Sequence, residues 1–135
     1  MWFKQVPNDK AELEVELQEI ASKFKFTPYI ENVIVGQNTT LIEMEKIEGD
    51  LLADLYGDDP DDIPMWIWGE IRRIVGTLLD IEGIEYIDIT PYNFIQQDDQ
   101  LFIIDFGDAK YVGEKVDWFL EDFLNGENSW NPDFN

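Results

Sequence analysis

The 135-residue chain contains neither cysteine nor histidine. Disulfides, Cys/His zinc sites, thiol nucleophiles and every histidine base are therefore excluded, and any catalysis must run on carboxylates, Lys, Asn, Tyr or Ser/Thr. Basic residues are scarce: 9 Lys+Arg stand against 30 Asp+Glu, a formal charge of −21. Scattered from Lys4 to Lys115, they form no phosphate-contacting patch, so direct nucleic-acid binding and adhesion to an anionic membrane are not expected. No apolar run reaches the roughly 18 residues of a membrane span, and Met1 to Lys10 has no signal-peptide core, so a soluble, intracellular, cytoplasmic protein is expected. Glycines are few and dispersed, and no G-x-G-x-x-G occurs. What is plentiful is apolar: 44% hydrophobic and 14% aromatic residues suffice for one buried core.

The patterning predicts a single α+β domain over 1–135. Trp2, Phe3 and Val6 make a short strand, and Leu13, Leu17, Ile20 and Phe24 mark an amphipathic helix of about 16 residues capped by Asn8 or Asp9 and stopped by Pro28. Ile30 to Val35 and Leu41 to Ile47 form a hairpin around Gly36-Gln37-Asn38. Helical turns at 50–55 and an acidic loop at 57–62 precede a helix from Pro64 to Gly83, read from Ile67, Ile71, Ile74, Leu78 and Ile81. Two short strands, 93–95 and 101–104, turn at Asp98-Asp99. A last helix holds Val116, Phe119, Leu120 and Phe123, with Gly126 as its C-cap.

Two motifs carry chemistry. Asp88 is followed five residues later by Asn93 within Tyr86-Ile87-Asp88-Ile89-Thr90-Pro91-Tyr92-Asn93, and Asp105-Phe106-Gly107 follows the second strand of the hairpin. In order, spacing and context they resemble the catalytic loop and D-F-G of the protein-kinase superfamily. The chain is similar to short kinase-like proteins of large DNA viruses and to atypical, lipopolysaccharide-kinase-like small kinases, a resemblance that covers about residues 1–110. It implies a kinase-like fold: a reduced N-lobe sheet plus one long helix over 1–47, then a hinge and a truncated, mostly helical C-lobe over 48–135 carrying the catalytic-loop hairpin. It further implies ATP and Mg²⁺ as cofactors. Asp105 and Asn93 would hold metal, and Asp88 would accept the hydrogen bond of the substrate hydroxyl. Lys4 would contact the α- and β-phosphates, paired with Glu14 or Glu16 on the following helix. Met44 would be the gatekeeper, with backbone groups of Glu45 and Ile47 toward the adenine edge. A virus-infected host cell is then the expected setting.

Three departures limit what the resemblance implies. The phosphate-covering glycine loop is lacking; only 28 residues follow Gly107, without a peptide-binding platform; and the His-Arg before the catalytic Asp is Tyr86-Ile87. The leading expectation is an ATP/Mg²⁺-dependent phosphotransferase. An inactive pseudokinase that binds a basic protein partner through the −21 charge is the alternative, and an acidic nucleic-acid mimic a remote third. The aromatic tail (Trp118, Phe119, Phe123, Trp130) is expected to seal the shortened C-lobe, with a homodimer surface as the minority reading.

Overall fold

The computed structural model describes residues 1–134 and is α+β, built from small antiparallel sheets and four α-helices. Strand β1 (Trp2–Pro7) runs through Pro7 directly into α1 (Asn8–Ser22); β2 (Ile30–Val35) and β3 (Thr39–Met44) follow as a hairpin, and the first sheet has the order β1-β3-β2. The registers Trp2↔Met44 and Lys4↔Ile42 fix β1 against β3, leaving β1 at the sheet edge. A second sheet, β4-β6-β7, joins β4 (Asp50–Leu51) to the hairpin β6 (Phe94–Gln97) and β7 (Gln100–Ile103). Helix α2 (Leu52–Tyr56) and the long α3 (Met65–Glu82) lie between β4 and β6 in sequence, a two-stranded pair unites β5 (Ile84–Glu85) with β8 (Lys110–Tyr111), and α4 (Trp118–Leu124) comes last.

The α3 periodicity is realised closely. Ile67, Trp68, Ile71, Ile74, Val75 and Leu78 are all buried to within 1% and face one core, while Ile81, at the end of the stripe, is exposed. Each such burial stabilises by about 1.5–3 kcal/mol relative to exposure. Gly83 ends the helix at φ 67, the left-handed conformation glycine tolerates without a Cβ clash.

Helix α1 departs from expectation in three ways. It ends at Ser22, six residues before Pro28, and the chain turns through Lys25 at φ 62. Neither Asn8 nor Asp9 caps it: Pro7 occupies the N-cap without a side-chain bond, and the Asn8 amide instead donates to the carbonyls of Gly36 and Gln37 and accepts from Thr40 Oγ1 at 2.8 Å, pinning the hairpin turn. Its buried face is also rotated, with Leu13 outside and Ala11, Glu14, Leu17, Gln18 and Ala21 inside. Leu17 and Ala21 enter the main core beside α3, and Ala11 packs under the first sheet with Val6, Ile42 and Met44. The helix is thereby held by both layers, which fixes the polar side chains on its inner face.

Two further segments differ. The expected strand Leu41 to Ile47 leaves the sheet after Met44, because the next amide donates to Tyr29 instead of continuing the ladder. The chain then crosses to the second sheet at Gly49, where an added Cβ would collide with the Gln96 carbonyl and lie 2.9 Å from Ile95 Cγ2; only glycine lets the backbones approach so closely. Helix α4 starts at Trp118, after Val116, with the Asp117 carboxylate accepting from Phe119 N; Asn125 is its C-cap and Gly126 follows at φ 116. Phe119, Phe123 and Trp130 are buried against the α3 core as expected of a seal, whereas Trp118 is 64% exposed.

Candidate functional site

The junction of the two sheets gathers residues that are far apart in sequence. Lys4 projects from β1; its Nζ lies 2.5 Å from Glu14 Oε2 and 2.9 Å from Asp105 Oδ1. Glu14 sits on the buried face of α1 and is only 4% exposed, so its charge requires a partner. Glu16, the other expected partner, faces elsewhere and accepts from the Tyr111 hydroxyl at 2.6 Å. Burial pulls the Lys4 ammonium down, but hydrogen bonds to Glu14 and Asp105, with their Coulombic attraction, outweigh it, and the net shift is upward.

Asp105 follows β7 and Ile104, and its Oδ1 also accepts from Gly107 N at 2.7 Å. A Cβ on Gly107 would come to 3.0 Å from that oxygen and 3.6 Å from Glu14 Oε1, so glycine lets the turn close over the carboxylate. Asn93 meets this loop through its carbonyl, which accepts from Ile104 N at 3.0 Å. Its Nδ2 donates to the Asp88 carbonyl at 2.9 Å. Asp88 lies on the loop between β5 and β6, half-buried. Burial raises its carboxyl above the ordinary Asp value, the Asp108 and Asp105 charges add to the rise, and a hydrogen bond from Asn93 and the charge of Lys4 oppose it.

Beside this cluster, Trp2, Lys4, Met44, Leu51, Ile95 and Ile104 line a largely apolar cleft of about 350 Å³ between the two sheets. Met44 is buried, and Gln18 Nε2 donates to its Sδ at 3.5 Å. Glu45 and Ile47 do not line this cleft. The Glu45 amide donates to the Tyr29 carbonyl and its carboxylate accepts from Tyr29 N, both at 2.9 Å, while the Ile47 side chain packs on Ile95 and Phe102. The strand-end pairing with Tyr29 thus takes up the Glu45 amide.

Oxygen donors fit a hard divalent cation in part. Among the described residues no three Asp or Glu side chains cluster as a ready metal cage. Asn93 and Asp105 each carry a hard oxygen donor, the sparse protein ligation Mg²⁺ accepts when phosphates and water complete its shell. No family model matches the chain, and no curated protein matches it. Among the described residues no helix is long and apolar enough to cross a membrane.

One site residue escaped the sequence reading. Tyr86, wholly buried, donates its hydroxyl to the Asp105 carbonyl at 2.7 Å and packs edge-on against Phe94 and Phe106. The signal was present: a hydrogen-bonding ring two residues before Asp88, where the resembling motif has His. Tyr86→Phe should cost about 1–3 kcal/mol in urea unfolding, since the Asp105 carbonyl loses its donor. Burial, with the charges of Asp88 and Asp105, pushes the Tyr86 phenol well above its usual value. A raised folded pKa contributes stability that is present below the unfolded value of about 10 and lost as pH rises further. The alkaline fall in stability should therefore be shallower in Tyr86→Phe, and an identical pH profile would contradict this role.

Proposed function

We propose that the protein is a minimal kinase-like phosphotransferase that uses ATP with Mg²⁺. The observation that carries this reading is the Lys4 bridge: one ammonium joins a helix carboxylate, Glu14, to the carboxylate of Asp105, 101 residues away. A lysine so held is a fixed positive charge at the mouth of an apolar cleft, suited to a nucleotide whose base enters the cleft and whose phosphates lie at its rim. Asn93 and Asp105 would hold Mg²⁺, which would supply neutralisation of phosphate charge. Asp88, its carboxyl raised by burial and its loop fastened by Asn93, would accept a proton from an attacking hydroxyl. Glu14 keeps Lys4 oriented.

An inactive relative that serves as an interaction module is the second reading, favoured by the edge position of β1 and the −21 charge. Titration of Mg²⁺-ATP by calorimetry, with and without EDTA, separates the two. The phosphotransferase reading expects saturable, metal-dependent binding that Asp105→Asn abolishes, with a stabilisation of about 2.7 kcal/mol at a hundredfold excess over Kd. No binding at millimolar nucleotide would end it.

A further inference from the structure

The segment after α4 has no counterpart in the resemblance, yet it is firmly attached. Arg72 on α3 donates through Nε to the Phe123 carbonyl at 2.7 Å and through Nη2 to Asn128 Oδ1 at 2.8 Å. Trp130 is buried, its ring centroid 4.6 Å from that of Trp68, and its Nε1 donates to the Asp58 carbonyl at 2.9 Å. These anchors deliver Asn131 to the loop that carries Asp88. There Asn131 Nδ2 donates to the Ile87 carbonyl at 2.6 Å and its backbone N donates to the Ile89 carbonyl at 2.9 Å, the carbonyls of the two residues on either side of Asp88. The remaining polar atom, Oδ1, accepts from Asp133 N at 2.8 Å, so the amide orientation is fixed at both ends. Phe134 closes the segment, its ring 5.8 Å from that of Tyr92.

Between this segment and Asp88 lies a cavity of about 650 Å³, within the range of small-molecule sites. Asp88, Thr90, Asp108 and Lys110 form one side and Asn131 and Asp133 the other, with Phe134 supplying an aromatic surface. Most of the lining can donate or accept hydrogen bonds. Lys110 already has Glu85 at 3.8 Å, so the carboxylates leave the cavity unwelcoming to anions.

We infer that the C-terminal segment Trp130–Phe134 is the acceptor side of the site: Asn131 is a positioning residue for Asp88, and the cavity takes a small, uncharged polyhydroxylated acceptor of the sugar or polyol class. This rests on the phosphotransferase reading. In the step, the acceptor hydroxyl gives its proton to the Asp88 carboxylate as its oxygen bonds to the γ-phosphorus of ATP. The bond from that phosphorus to the β–γ bridging oxygen breaks, its electron pair leaves with ADP, and Asp88 returns the proton to water. Asn131 acts by holding the carbonyls of Ile87 and Ile89, and with them the backbone on both sides of Asp88, so its loss misdirects the base without touching the nucleotide.

The full chain, with ATP radiolabelled at the γ-phosphate, Mg²⁺ and glycerol, D-glucose or myo-inositol as probes, provides the test, alongside calorimetric nucleotide Kd and thermal unfolding. Wild type should label at least one probe. Asn131→Ala should lower kcat about ten- to hundredfold with nucleotide Kd unchanged, a separation that mere loss of packing would not give. Phe134→Ala, which keeps Trp130 and Asn131 in place, should raise the acceptor KM more than it changes kcat, and it carries the decision if Asn131→Ala does not fold. Wild type that binds Mg²⁺-ATP but labels no probe overturns the inference alone, as does unchanged kcat in Asn131→Ala or unchanged acceptor KM in Phe134→Ala. Wild type that binds no nucleotide overturns the phosphotransferase reading and this inference with it.

Discussion

Lys4→Met is expected to destabilise the fold by about 1–3 kcal/mol and, on the phosphotransferase proposal, to remove nucleotide binding from the cleft. Breaking a buried ion pair from one side costs about 3–5 kcal/mol, because the remaining charge is left in a poor solvent. Glu14 meets that description at 4% exposure; the Lys4 side chain, at 29%, does not wholly, which lowers the expected loss. The partner change should restore stability: Lys4→Met combined with Glu14→Gln should unfold closer to wild type than Lys4→Met alone, a coupling that a double-mutant cycle in urea measures directly. If the single variant matches wild type, Glu14 does not depend on Lys4. The pH dependence has a definite sign. Because the folded Lys4 pKa is raised, its contribution is present below the unfolded value of about 10.4 and fades as pH climbs through the folded one. The gap between wild type and Lys4→Met should thus stay level from neutral pH to about 10 and narrow above it.

The placement of several candidate-site residues was legible in the sequence, and the reasons are local. Asp88, Asn93 and Asp105 lie within 18 residues around one hairpin, and its pairing, with the Asn93 bonds to Asp88 and Ile104, keeps their segments adjacent. Helix α3 was readable because a single unbroken apolar stripe meets a single core. Helix α1 was not: it packs against two layers at once, and at the join a buried glutamate and glutamine displace Leu13 from the inner face. That join is where Lys4 finds Glu14 in preference to Glu16, a choice of about one-half turn that apolar periodicity does not encode. Other misses are long-range. Pairing of β5 with β8, the bond from Tyr29 to Glu45, and the return of Asn131 to the Asp88 loop each link segments whose own residues give no hint of a partner. The Asn8 side chain illustrates the same limit: a sound helix-capping residue is drawn off by a hairpin turn nearly 30 positions away.

On the phosphotransferase proposal, Asp88→Asn should reduce phosphoryl transfer by about 10²- to 10⁴-fold, the usual contribution of a positioned base, while nucleotide affinity is retained. Its effect on stability should have the opposite sign. The Asp88 carboxyl is raised by burial and by the neighbouring Asp108 and Asp105 charges. A raised folded pKa means that its stabilising contribution is complete only below the unfolded value of about 3.9 and is lost as pH rises through the folded one. At neutral pH the ionised Asp88 is therefore a cost to the fold, and a neutral amide of the same shape removes it. The variant should melt at or above the wild-type temperature at pH 7, with the difference vanishing in acid, where wild-type Asp88 is itself protonated. A marked drop in melting temperature at pH 7 would mean that Asp88 serves the fold, and unchanged transfer would mean that it is not the base. Stability raised and transfer lost in one substitution is the pattern of a group kept charged for its chemistry, and no packing role produces both.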